Sequence, residues 1–267
     1  MRSIAQLMSL QGRTAAVTGG AGHLGRSIAE ALAECGASVA IIDRPQADTL
    51  SVAKDIEQRF SVPARGFCVD LQDVERVSSL PEQVAHELDG LDILVNNAAF
   101  VGDSQLEGWI TPFEEQSVVT WRAALEVNLT ACFTLSQKSS PFLRRSGHGC
   151  IINVASIHGV CGPDFSLYDG THMGNPAAYA ASKGGLIQLT RWLATALAPN
   201  VRVNALSPGG VWRNQPESFH QRYKKRTPLG RMATEEDFKG TVAFLASDLS
   251  AYVTGQNIMV DGGYSCW

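Results

Sequence analysis

Tyr179-Ala-Ala-Ser-Lys183 sets a phenol and an ammonium four residues apart, one turn along one face of a helix. A free phenol ionises near pH ~10, and a neighbouring cation favours the phenolate and draws that value down. Such a pair can exchange a proton with a substrate hydroxyl or carbonyl. The same spacing also arises by chance on exposed helices, so the rest of the chain must decide its meaning. Far upstream, Gly20-Ala-Gly22-His-Leu-Gly25 matches G-x-G-x-x-G, preceded by the β-type run Thr14 to Val17 and followed by helix-forming residues. Glycines in that context allow a tight turn and let the backbone approach a pyrophosphate at the helix N-terminus. Asp43 ends the next apolar run, where a carboxylate can accept hydrogen bonds from adenosine ribose hydroxyls. That carboxylate would repel a 2′-phosphate, which favours NAD over NADP. The adjacent Arg44 could partner a phosphate and keeps NADP as the alternative.

These residues need elements to position them. Strands are expected at Thr14–Val17, Ser38–Ile42, Arg65–Val69, Asp92–Val95, Cys150–Ala155, Arg202–Leu206 and Asn257–Val260. Helices are expected at Leu24–Cys35, Ala47–Phe60, Val74–Leu88, Val118–Ser139, Ala177–Leu197 and Glu235–Ser247. Continuous apolar strands alternating with helices indicate an α/β fold, a doubly wound parallel sheet of about seven strands covered on both faces. No linker or repeat interrupts it, so residues 1–267 are expected to form a single domain. The less regular stretches, Phe100 to Glu115, Gly159 to Pro176 and Gly209 to Ala233, all follow strands, on the edge where open α/β sheets bind ligands.

Composition narrows the classes of function. The chain has 267 residues, is 45% hydrophobic, and carries a formal net charge of −4, with no long basic tract to suggest a nucleic-acid partner. Its six cysteines form no C-x-x-C pair and no metal-ligand spacing, and those in apolar runs suit small buried hydrophobes in a reducing compartment. His158, Cys161 and His172 lack the spacing of a metal site, so no metal is expected. No signal-like or membrane-spanning apolar run occurs, and a cytoplasmic protein with no membrane partner is expected.

With these residues in place, the chain resembles the classical short-chain dehydrogenase/reductase family, a Rossmann-type fold, over nearly its whole length. Thr18-Gly19 through Gly25 resembles the nucleotide loop, including Gly22, His23 and Leu24. Asp70, followed by Leu71, is similar to the acid that meets the adenine amino group, and Asn96-Asn97-Ala98-Ala99 to the N-N-A-G motif with alanine in last place. Asn128, Ser156, Tyr179 and Lys183 match the catalytic set. Pro208-Gly209, with Val211 beyond, resembles the segment after the sixth strand, and Thr254-Gly255 and Val260-Asp-Gly-Gly263 resemble the C-terminal signature. The glycine loop departs from the family's usual T-G-x-x-x-G-x-G, because His23 stands where a glycine is usual.

The resemblance implies hydride transfer between a nicotinamide and a secondary alcohol or ketone. Tyr179 would be the general acid or base. Lys183 would lower its pKa and hold the nicotinamide ribose, Ser156 would steady the substrate oxygen, and Asn128 would hold a water joining Lys183 to solvent. It also implies a homotetramer or homodimer joined through the helices at Val118–Ser139 and Ala177–Leu197. The glycine loop resembles that of nucleotide-sugar epimerases and dehydratases, so transient oxidation by a sugar-modifying enzyme is a second reading, and a non-catalytic dinucleotide sensor a third.

Ser156 and Tyr179 are 179 − 156 = 23 residues apart, more than is usual in the family. The additional residues lie within 160–176, between two catalytic positions, and are expected to form a lid or specificity wall or to pack on a neighbouring subunit. His158, Tyr168, His172 and Arg213 are candidate substrate contacts. The substrate-loop segment, residues 209–233, carries the basic run Arg222-Tyr-Lys-Lys-Arg226, which could meet an anionic group or simply be solvated. The insert resembles a bacterial subgroup associated with surface-sugar synthesis, which suggests a sugar or sugar phosphate. The tail Tyr264-Ser-Cys-Trp267 could reach a neighbour's site or cover a core edge.

Overall fold

The computed structural model describes residues 1–101 and 106–267. Seven strands, β1 (Thr14–Thr18), β2 (Ser38–Asp43), β3 (Ala64–Cys68), β4 (Ile93–Asn96), β5 (Gly149–Val154), β6 (Val201–Pro208) and β7 (Asn257–Val260), form one sheet in the order β3-β2-β1-β4-β5-β6-β7. Every pairing is parallel. Period-two alternation splits each strand's side chains between two cores. Val17, Ile93 and Val95 join Ile28, Leu32, Ile56 and Val242 on one face. Ala16 and Leu94 join Leu80, Val84, Leu135 and Leu193 on the other.

The first face is covered by α2 (His23–Glu34), α3 (Thr49–Phe60) and α9 (Lys239–Ala246). The second is covered by α4 (Val74–Glu87), α6 (Ala131–Ser146) and α7 (Ala177–Ala196), with α5 (Val118–Leu125) packed on α7. Asp48 and Asp73 cap α3 and α4, accepting from the Ser51 and Arg76 amides at 3.0 and 3.1 Å. A short α1 (Ile4–Met8) precedes β1, and α8 (Glu217–Arg226) lies beyond β6. Strand order reverses between β1 and β4, so the strand ends open a crevice there.

Three elements differ from expectation. The expected helix at 118–139 is two α-helices joined by a π-turn, Glu126–Thr130, and its second part runs through Pro141 to Ser146, where Gly147 at φ 75° ends it. Residues 209–233 are not irregular throughout: they contain α8, whose Phe219 and Tyr223 are buried. The expected helix at 235–247 opens as a 3-10 turn, Glu235–Phe238. Within the irregular stretch expected at 100–115, residues 102–105 lie outside the described residues.

A buried amide network ties the strand ends to the helices. Asn96 Nδ2 donates to Asn153 Oδ1 at 2.8 Å, and Asn153 Nδ2 donates to Thr190 Oγ1 on α7 at 2.9 Å. Asn96→Ala leaves the Asn153 oxygen without its donor and is expected to destabilise the fold by about 1–3 kcal/mol. Urea denaturation checks this as a lowered midpoint.

Candidate active site

The crevice holds a cleft of about 1460 Å³ that runs from the glycine loop to the insert. At one end, α2 begins at His23 with Gly22 as its cap, and no side chain bonds its first amides. Those N–H groups are free to meet an anion. A Cβ on Gly25 would stand 1.9 Å from the Gly19 carbonyl oxygen, and Gly19 itself turns at φ 65°, so both positions require glycine. His23 needs none: it starts the helix, its side chain is exposed, and its φ is not positive. The family's usual glycine is therefore dispensable at this position. Asp43 closes β2 and faces the loop, accepting from the Ala21 amide at 3.1 Å and the Arg44 amide at 2.8 Å. Arg44, Asp70, Leu71, Ala98, Pro208, Gly209 and Val211 line the same cleft, along with Gly19, Gly22, His23, Leu24, Gly25 and Asp43. Asn97, also on the lining, braces the loop by donating to the Thr18 carbonyl at 2.9 Å. The size of the cleft, the uncapped amides and the glycine cradle fit a dinucleotide.

The middle of the cleft gathers Ser156, Tyr179 and Lys183. Ser156 follows β5 and is 6% exposed. Its hydroxyl accepts from the His158 amide at 3.2 Å and lies close enough to the Tyr179 phenol to favour its ionisation. Lys183, 2% exposed, donates to the Val154 carbonyl at 2.8 Å. Its Nζ lies 5.8 Å from the Tyr179 ring centre. The turn after Ser156 sits directly on α7, because a Cβ on Gly159 would come within 2.7 Å of the Lys183 backbone. Burial lowers the Lys183 ammonium to about 8. The Tyr179 phenol corrects the expectation drawn from spacing. Burial pushes it up from its ordinary value, and the nearby Ser156 hydroxyl offsets only part of that rise.

Asn128 lies in the π-turn and is fully buried rather than on the cleft lining. Its Oδ1 accepts from the Phe100 amide at 2.6 Å, and its Nδ2 donates to Ser182 Oγ at 3.0 Å. It thus ties the chain after β4 to the residue beside Lys183. Two features here carried no signal in the sequence. The π-turn has no periodicity of its own, and Cys132, on the next helical turn, packs its buried thiol into the field of Lys183.

The far end of the cleft is aromatic. Tyr168 and His158 line it, with Asn175, Phe219, Tyr223, Met232 and Tyr264. His172 is exposed and lies off the lining. Arg213 reaches the lining, but its guanidinium pairs with Glu235 at 2.7 Å. The basic run turns to the insert: Arg222 donates to the Leu167 and Asp169 carbonyls at 3.3 and 2.7 Å, and Arg226 pairs with Asp164 at 3.8 Å. These cations clip α8 to residues 160–176. The tail folds onto its own chain's site, Tyr264 stacking on Tyr223 with ring centres 4.9 Å apart and Trp267 donating to the Arg226 carbonyl at 3.0 Å. Sequence reasoning missed Asn175, Phe219 and Tyr223, because nothing local to α8 or the insert says which face meets the cleft.

A family model described as enoyl-(acyl carrier protein) reductase matches residues 19–265. The chain is 35% identical over 261 residues to a 3-oxoacyl-[acyl-carrier-protein] reductase of Aquifex aeolicus, covering 96% of this chain and 98% of that protein. It is 34% identical over 265 residues to a probable galactose dehydrogenase of Rhizobium meliloti, covering 97% of each. A solved gluconate 5-dehydrogenase from Burkholderia cenocepacia, in complex with NADP and tartrate, superposes with a TM-score of 0.86 at 28% identity, covering 99% of this chain and 100% of that one. Among the described residues, no helix is long and apolar enough to cross a membrane.

The site makes a prediction about pH. Burial lowers the His158 imidazole from 6.5 to about 4. Between those values the unfolded chain binds a proton here that the folded protein does not. Stability is therefore lost as pH falls from about 6.5 toward 4. His158→Phe should show a smaller loss of urea midpoint between pH 7 and pH 4.5 than the parent protein.

Proposed function

The chain belongs to the short-chain dehydrogenase/reductase family, and on that premise we propose that it interconverts a secondary alcohol and a ketone on a sugar-like substrate, using NAD(H). One observation carries the reading: Ser156, Tyr179 and Lys183 meet in the middle of a cleft whose other end is an uncapped helix N-terminus and a glycine cradle. When bound, the nicotinamide supplies the hydride chemistry. The protein supplies position and a proton path. Gly19, Gly22 and Gly25 would hold the pyrophosphate against α2. Asp43 would take the ribose hydroxyls, Asp70 the adenine, and Lys183 the nicotinamide ribose.

Tyr179 is the proposed general acid and base. Burial makes its phenol a reluctant acid, which suits it to hold a proton for a forming alkoxide in the reductive direction. In the oxidative direction, the Lys183 ammonium and the positive charge of an oxidised nicotinamide both favour the phenolate. The Ser156 hydroxyl would donate to the substrate oxygen as charge develops there. Asn128 acts by holding α7 through Ser182, so that Tyr179 and Lys183 keep their spacing.

The preference for NAD rests on Asp43, whose carboxylate faces the glycine loop with no cation paired to it among the described residues. A 2′-phosphate brought there meets like charge. The gluconate 5-dehydrogenase was solved with NADP, so the two nucleotides are to be compared directly. The sugar-like substrate is supported by the relatives named as acting on galactose and gluconate. Assembly as a homotetramer or homodimer is supported by Val118, Val119 and Trp192, which leave apolar surface exposed on α5 and α7.

Tyr179→Phe is expected to lower kcat at least 1000-fold, about the contribution of a positioned acid or base, while NADH still binds by fluorescence titration. Full activity in that variant would sink the mechanism. A net change in absorbance at 340 nm with turnover separates this reading from transient oxidation. The same assay with both nucleotides should give a higher kcat/KM for NAD, and Asp43→Asn should narrow the gap at least tenfold.

A further inference from the structure

The chain leaves β6 through a glycine pair, Gly209-Gly210, that lies on the cleft wall. Strand order places this turn. Val154, two residues before Ser156, pairs with Leu206, two residues before Pro208. The turn after Pro208 therefore stands beside Ser156, while the glycine loop follows β1, three strands away in the sheet. The reacting end of a bound dinucleotide belongs with Ser156, Tyr179 and Lys183, and the Gly209-Gly210 turn is the backbone next to it. Its adenosine end belongs with Asp43 and Asp70, beyond β1.

Two glycines in succession make a loose backbone, and little side-chain mass supports this pair from behind. A second cavity of about 120 Å³ opens there, lined by Gly209, Gly210 and Val260 among others. Backbone bonds hold two points of the turn. The Gly209 amide donates to the Val260 carbonyl at 2.9 Å, and the Gly210 carbonyl accepts from the Ala233 amide at 2.9 Å. The third point is a side chain: the Gly210 amide donates to the Tyr223 phenol oxygen. The phenol fits the pair closely. A Cβ on Gly209 would stand 3.1 Å from its hydroxyl, and one on Gly210 would stand 2.7 Å from its ring. The missing side chains at 209 and 210 are what admit it.

Tyr223 is itself firmly placed. It is 4% exposed, its ring stacks on Tyr264 with centres 4.9 Å apart, and Phe219 packs at 5.8 Å. Asp261 shapes the tail that carries Tyr264, accepting from the Gly263 and Ser265 amides at 2.9 Å each. Arg226 lies over the Tyr264 ring at 5.5 Å. A rigid aromatic stack at the substrate end thus reaches, through one hydroxyl, a loose turn at the cofactor end.

We propose that Tyr223 is a positioning residue for the cofactor, its hydroxyl fixing the Gly209-Gly210 turn that receives the nicotinamide. The inference rests on the dinucleotide reading of the cleft. Tyr223 acts through the backbone of Gly210, so its loss has a selective consequence. A loosened turn weakens the hold on the nicotinamide ring and leaves the ADP-ribose part, bound along the ends of β1 to β3, as it was.

The test is calorimetry of NADH and of ADP-ribose, which carries a hydroxyl in place of the nicotinamide. Both are titrated into the parent protein and into Tyr223→Phe, which keeps the ring stack and removes the hydroxyl. The Kd for NADH should rise about fivefold, the effect of one lost hydrogen bond, while that for ADP-ribose stays within about twofold. Equal losses for the two ligands would mark a merely structural role and overturn the proposal, and so would an unchanged NADH affinity. Gly210→Ala drives a methyl group into the phenol ring with the hydroxyl still present. It should give the same split, and it decides the matter in the same way where Tyr223→Phe does not fold. If the parent protein binds NADPH more tightly than NADH, the probes are NADPH and ADP-ribose 2′-phosphate. A parent protein that binds neither nucleotide overturns the cofactor reading and the positioning role together. Binding by the parent that the variant leaves unchanged overturns the positioning role alone.

Discussion

The ammonium of Lys183 held to the Val154 carbonyl is the contact on which the site depends. A lysine almost fully removed from water keeps its charge at a cost, and burial has already brought it down to about 8. That cost is met by a bond to the last residue of β5, which locks α7 onto the end of the strand. Ser156 leaves the sheet two residues after Val154, and Gly159 lets the following turn lie against the lysine backbone. One buried cation thus fixes the distance between a serine on a loop and a tyrosine on a helix.

Around that contact, polar groups rather than apolar packing set the register of the parts. Asn128 joins the chain after β4 to Ser182, and the pair Asn96 and Asn153 joins β4 to β5 and then to Thr190 on α7. Buried amides of this kind cost stability when any member is lost, and they tolerate few alternative geometries. The two apolar cores can absorb small shifts in side-chain packing. The amide network cannot, and it runs only where the strand ends meet α7.

The substrate end is built on another principle. The insert, α8 and the tail share a small aromatic core of Leu167, Phe219, Tyr223 and Tyr264, and the arginines of α8 fasten the outside. Arg222 and Arg226 are used for fastening, and the cavity they enclose is lined largely by aromatic rings.

The sequence alone determined the sheet, because buried parallel strands need unbroken apolar runs and the helices between them need their own period. It also determined the residue types at the glycine loop, at Asp43 and at Ser156, Tyr179 and Lys183, since chemistry at those points admits few alternatives. The tertiary structure decided what depends on long-range burial. It raised the Tyr179 phenol where spacing alone predicted the reverse, placed Asn128 in a π-turn off the cleft, moved His172 to the surface, and turned the basic run from a ligand site into a clip. None of these follows from neighbours in the chain, because each is set by what the fold excludes from water and by partners about 50 residues away, such as Ser182 for Asn128 and Asp169 for Arg222.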